Sequence, residues 1–421
     1  MILSNVSVPL LGMVDTGVVG HLESAAYLGG VAIGSTIFGF LYTGMNFLRM
    51  GTTGIAAQRF GAGDNDGLRV SLGQAVIVAL LIAFVLIALQ RPIGSIALRL
   101  IGGEFDVQAH ALEYFSIRIW SAPGTLVNYV LIGWFLGLQN ARVPLLIFLT
   151  INFTNIILDL VFVLVLGMKV DGVALASVIA EYSGMLVALI FVARALRDRA
   201  GHWPLARLFR IRAYAAYFSV NGNLFIRTMA LMFTFAFVTA QGARLGGLVL
   251  AANAILMNIQ LLTSMALDGF AHAAEALVGK AIGQKNRNAL QHSVRLCLKW
   301  SLIFAVGFCL LYLLFGPLLI RTLTDLDDVR DTAMRYLPWL VLSPLVSVWS
   351  FLYDGVYVGA TRAREMRDIM LFSSLAVFLP AWFLLQGYGN HGLWLAFTLF
   401  MASRGLGMHL GYRRHVLPAV A

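Results

Sequence analysis

Apolar runs of roughly 20 residues, the length of a membrane-crossing helix, fill nearly the whole chain and are parted by short polar stretches. Read between Gly, Pro and charge, they predict about twelve spans. These lie near 1–22, 28–55, 70–97, 113–138, 143–167, 172–195, 213–240, 248–278, 292–320, 334–359, 368–387 and 391–411. The polar connectors differ in charge. QRFGAGDNDGLR, the six-arginine stretch from Arg194 to Arg212, GKAIGQKNR and TRAREMR are basic, whereas TDLDDVRD at 324–331 is acidic. Placing the N-terminus in the cytoplasm puts about 19 Lys/Arg inside and about 8 outside, with three left within spans. Both termini are therefore expected on the cytoplasmic side. No cleavable leader is expected, because the first run contains Asp15 and lacks a basic start.

The halves echo each other. GWFLG at 133–137, followed by Ala141-Arg142, recurs 222 residues later as GVYVG at 355–359, followed by Ala363-Arg364. The same offset carries Gly61 onto Gly283, and DGVALA at 171–176 answers HGLWLA at 391–396 at a nearly equal one. Six spans, a basic connector at 201–212 and six more spans make a parallel duplication, a common ground plan of secondary transporters. The expected domains are an N-terminal lobe over 1–200 and a C-terminal lobe over 213–421.

Composition agrees with that pattern. Of 421 residues, 60% are hydrophobic and 12% charged, about half the charged fraction of a soluble domain. The net charge of +10 resides in connectors, not in a basic domain that could hold nucleic acid. Cys297 and Cys309 stand twelve residues apart on one predicted helix, roughly 18 Å and beyond disulfide reach. No P-loop, HExxH or GxSxG occurs, so neither ATP coupling nor the usual hydrolytic chemistry is expected, and no enzyme activity.

Polar residues inside apolar spans are costly and mark function or pairing. The acidic ones are Asp15, Asp159, Glu181, Asp268, Glu275 and Asp354; the basic ones are Arg49, Arg227 and Arg404. Arg49, Glu275 and Arg404 are expected near an interface, where long side chains reach water. Asn152, Asn155 and Asp159, spaced by three and four, share one helical face that lipid cannot satisfy. Asp268, His272 and Glu275 align likewise on the eighth span and are expected to gate or support. Asn221, Asn223 and Arg227 on the seventh are candidate partners for Asp268 or Asp354. Pro9 can kink the first span before Asp15.

Four segments carry a family likeness: SNVSVPLLGMVDTGVVGHLESAAYLGGVAIG, FLRMGTTGIAAQRFGAGD, ALDGFAHAAEALVGKAIGQ and LYDGVYVGATRAREMRD. They closely resemble the multidrug and toxic compound extrusion (MATE) transporters, within them the DNA-damage-inducible protein F (DinF) branch, over nearly the whole chain. The resemblance implies an all-α polytopic membrane protein, with two six-helix lobes around a cavity that opens alternately to either side. It implies export of cationic or amphipathic compounds in exchange for protons or sodium ions. The family's N-lobe cation site uses an Asp on the first span, an Asn and an Asp on the fifth, and a hydroxyl on the sixth. Those positions look like Asp15, Asn155, Asp159 and Ser177 here, with serine where the family often has threonine. The acidic residue that another branch places on the seventh span is missing, and Arg227 stands there instead. Family members usually carry further residues ahead of this chain's Met1, so the bending of the first span described for relatives is not carried over.

The expected protein is a bacterial inner-membrane antiporter, acting as a monomer on small amphipathic or cationic substrates amid membrane lipid. It needs no cofactor beyond a coupling ion, proton or sodium. Asp15 and Asp159 are expected to titrate as a coupled unit. The alternatives are a lipid-linked oligosaccharide flippase of the same superfamily, an importer with the same fold, or a membrane enzyme or complex subunit.

Overall fold

The computed structural model describes residues 25–208 and 210–420; Asp15 and the first expected span lie outside them. The described chain is helical, with no strand. The first half contains α1 (Ala25–Met45), α2 (Phe47–Gly61), α3 (Asn65–Ala88), α4 (Gln90–Ile101), α5 (Phe105–Arg118), α6 (Ala122–Gly137), α7 (Arg142–Asp159) and α8 (Val170–Arg197). After the short α9 (Leu205–Leu208) come α10 (Ile211–Arg244), α11 (Gly247–Gly283), α12 (Arg287–Leu323), α13 (Asp327–Gly359), α14 (Ala363–Leu371), α15 (Leu379–Leu385) and α16 (Gly389–Gly411). Two compact units result: residues 25–60 with 64–217, and residues 218–420 with 61–63.

Ten of the described helical stretches are long and apolar enough to cross a membrane, and that over 363–416, at 54 residues, suffices for two crossings. Large apolar side chains point outward along them: on α12, Leu310, Leu313, Leu314, Phe315 and Leu318 are all at least half exposed. Water would penalise such a surface and lipid does not. The fold is an all-α polytopic membrane protein. Several helices outrun the expected spans: the 37 residues of α11 reach about 55 Å, well beyond the hydrocarbon core.

The repeat is written in the backbone. The stretch Ala25–Gly61 and the helix Gly247–Gly283 have equal length, as do Phe105–Gly137 and Asp327–Gly359, each pair offset by 222 residues. Left-handed residues recur at that offset: Gly63 and Lys285, Gln139 and Thr361, Gly167 and Gly389. Asp64 caps α3 by accepting from the Gly67 amide at 2.8 Å, and Asn286 caps α12 by accepting from Ala289 at 2.9 Å. Gly133 and Gly355 pack without a side chain because a Cβ would strike the carbonyl of Arg49 in one half and of Ala271 in the other. These four residues also obey the 222-residue offset.

Where the halves differ, the cause is local. Asn46 interrupts the first half between α1 and α2, whereas α11 runs unbroken. Pro344 inside α13 has no amide hydrogen for the Leu340 carbonyl. The Ser343 hydroxyl donates to that carbonyl instead, at 3.0 Å.

Candidate functional site

In the first unit the fifth-span stripe faces inward. Asn152, Asn155 and Asp159 are 8%, 1% and 0% exposed, while Phe153 and Ile157 on the opposite face are 65% and 53% exposed. α7 packs against α8, and the Asn155 amide donates from Nδ2 to the Ser177 hydroxyl at 3.4 Å. Asp159 is the last residue of the regular helix; Leu160–Val165 continue as a wide π turn. Such turns shift the backbone register and recur at functional sites. The structure thus brings Asn155, Ser177 and Asp159 to one buried face, while Asp15 lies outside the described residues.

One turn along α8 from Ser177, Glu181 meets Asn128 of α6. The Asn128 amide donates from Nδ2 to both the Glu181 carbonyl and its Oε2, each at 2.9 Å. Sequence reasoning noted Glu181 as an acid within a span but left Asn128 aside, since one amide in an apolar helix has no spacing signature.

The second unit is organised around Asp354. Arg227 of α10 donates to Asp354 Oδ2, and Arg404 of α16 donates from Nη2 to the same oxygen at 2.9 Å. All three residues are buried, and Asp268 of α11 adds its negative charge to the field at Arg404. Three sequence expectations are corrected here. Arg404, at 3% exposure, does not reach toward an interface, because Asp354 supplies a counter-charge inside the protein; Glu275, at 2%, is buried as well. Arg49 is half-buried and donates to Asn46 Oδ1 at 3.1 Å. Asn223 is not a partner of either aspartate: its Oδ1 accepts from Arg367 at 2.6 Å. Asn221 is buried on α10.

A second polar knot joins α11 to α16. Asn253 and Asn390 exchange hydrogen bonds at 2.8 and 2.9 Å, and Trp394 Nε1 donates to Asn253 Oδ1 at 2.9 Å. Beside it lies a cavity of about 10 Å³ edged by Gln260, Ser347, Trp394 and Thr398, about enough for one water.

The backbone repeat does not extend to this chemistry. At the 222-residue offset Asp159 corresponds to Ala381, Asn155 to Val377 and Ser177 to Leu399, while Asp354 corresponds to Ile132. The first unit offers neutral oxygens around a carboxylate, a setting for a small cation or a proton. In the second, the principal carboxylate already holds two guanidiniums.

The family model described as MatE matches residues 1–161 and 224–383. The chain is 42% identical over 415 residues to DNA damage-inducible protein F of Escherichia coli, covering 99% of this chain and 90% of that protein. It is 26% identical over 399 residues to a probable multidrug resistance protein NorM of Thermotoga maritima, covering 92% and 84% of the two chains. Among solved structures, the Vibrio cholerae MATE transporter VcmN in its bent form superposes with a TM-score of 0.88 at 20% identity, covering 100% of this chain and 95% of that one.

Proposed function

The chain belongs to the multidrug and toxic compound extrusion family of transporters, and from that premise we propose that it is a proton-driven antiporter that loads its coupling ion in the N-terminal half. The observation that carries the reading is the buried face shared by Asn155, Ser177 and Asp159, with the Asn155–Ser177 hydrogen bond across α7 and α8. The family resemblance adds Asp15, which lies outside the described residues, to this loading site. A proton entering from outside neutralises a carboxylate there, favours one arrangement of the half, and is released to the cytoplasm in the other. The conformational shift is bounded by the difference in proton affinity between the two states. The substrates are small amphipathic cations, consistent with the multidrug resistance naming of the relatives. The basic connectors support an inner-membrane placement with both termini cytoplasmic.

Efflux of a fluorescent cationic dye from proteoliposomes, under separately imposed pH and sodium gradients, tests this. The wild type is expected to respond to the pH gradient, and Asp159→Asn to lose at least about tenfold of the gradient-driven rate, the loss of one charge-specific interaction. Near-normal efflux by Asp159→Asn overturns the reading. A response to sodium alone replaces the proton with sodium.

A further inference from the structure

We propose that Glu181 and Asn128 form a second proton-binding site in the N-terminal half, one helical turn from the loading site. For its part in transport, the proposal rests on the proton-driven reading above. Glu181 and Ser177 are four residues apart on α8 and so share a face; Ser177 in turn bonds Asn155. Polar side chains therefore follow one another from Asp159 and Asn155 on α7 to Ser177 and Glu181 on α8 and on to Asn128 of α6, bonded at Asn155–Ser177 and at Glu181–Asn128.

The hydrogen-bond inventory of the pair assigns the chemistry. Asn128, 2% exposed, spends both its amide hydrogens on Glu181, while its own Oδ1 is buried without a donor. A carboxylate only accepts hydrogen bonds, whereas a carboxylic acid also donates one. With Glu181 ionised, two costs stand: a half-buried charge and an orphaned, fully buried carbonyl. One proton bound to the carboxylate removes the charge and creates the O–H donor that Asn128 Oδ1 lacks; its departure restores both. No other reactant is needed.

The surroundings match a group that binds and releases a proton instead of holding a fixed ion pair. Among the described residues Glu181 forms no salt bridge. The groups facing it are Arg118 of α5, Tyr42 of α1, and Tyr129 and Thr125 of α6. Arg118 bonds the Tyr114 hydroxyl and lies over the Phe38 and Tyr114 rings, 5.3 Å from each centroid. Asp159 lies on α7, four residues from the Asn155 that bonds Ser177.

Infrared difference spectroscopy of the purified protein in liposomes, titrated over roughly pH 5–9, reads this site without any transport. The wild type is expected to show a protonated-carboxyl band that vanishes in Glu181→Gln, with one proton fewer taken up per molecule on acidification. Gln keeps the acceptor for Asn128 Nδ2, so folding is preserved. Asn128→Leu is expected to move the band's midpoint by a pH unit or more. A band that survives in Glu181→Gln, or a midpoint unmoved in Asn128→Leu, overturns the proposal. Failure of the underlying reading looks different: the Glu181 band is present, yet Asp159→Asn exports the dye at the normal rate.

Discussion

Arg404 reaches Asp354 through the oxygen that Arg227 already uses, 2.9 Å from Nη2 to Oδ2. Two guanidiniums on one carboxylate oxygen make the aspartate the keystone, because removing it strands both cations. Asp354→Leu is expected to destabilise the protein by about 3–5 kcal/mol, the range for an uncompensated buried charge. Arg404→Met leaves the Arg227–Asp354 pair intact and is expected to cost clearly less. Thermal unfolding in detergent compares them, and equal losses would contradict the shared-oxygen arrangement.

Gly133 and Gly355 meet backbone carbonyls, which cannot rotate away as a flexible side chain would. Alanine at either position forces a helix apart, at about 1–3 kcal/mol for overpacking. The two variants are expected to lose stability similarly. A harmless Gly355→Ala beside a damaging Gly133→Ala would show that the two packings are not equivalent.

Gln139, Lys285 and Thr361 hold left-handed backbone, with φ of 60°, 52° and 53°. Non-glycine residues pay about 1–2 kcal/mol there, while glycine loses about 0.5–1 kcal/mol more on ordering. Thr361, being β-branched, is the most strained of the three by type. Thr361→Gly is therefore expected to raise the melting temperature, and by more than Gln139→Gly does. A fall in both melting temperatures would refute the strain assignment.

In the Asn253–Asn390–Trp394 knot, Asn253 serves two partners. Asn253→Ala strands buried groups on Asn390 and Trp394 and is expected to cost about 1–3 kcal/mol. Trp394→Phe leaves the reciprocal amide pair whole, removing one hydrogen bond worth about 0.6 kcal/mol in a membrane protein plus any packing loss. If the Phe variant proves the worse of the two, packing and not hydrogen bonding dominates at this position.

Much of the helical layout is legible in the sequence, because lipid demands long apolar runs whose ends are marked by Gly, Pro and charge. The repeat is legible through GWFLG and GVYVG, since close helix contact admits only glycine at their ends. Helix ends are less so: α11 extends well past its apolar run, and nothing in hydropathy limits a helix once it has left the bilayer. Partner choice is the least legible. Arg404 reads as a residue near an interface until the fold sets it beside Asp354, 50 positions earlier. Asn128 is a single amide without periodicity, and only its geometry reveals that it holds Glu181.

The Asp354 cluster also imposes an order of assembly on a chain made from its N-terminus. Arg227 precedes its counter-charge by 127 residues, roughly 6–25 seconds of synthesis at about 5–20 residues per second. Through that interval a guanidinium must enter the bilayer on the apolar credit of α10 alone, at about 2.5–3.5 kcal/mol by insertion scales. Arg404 arrives later still. The C-terminal half therefore closes around its charges only after its last long helix has been made.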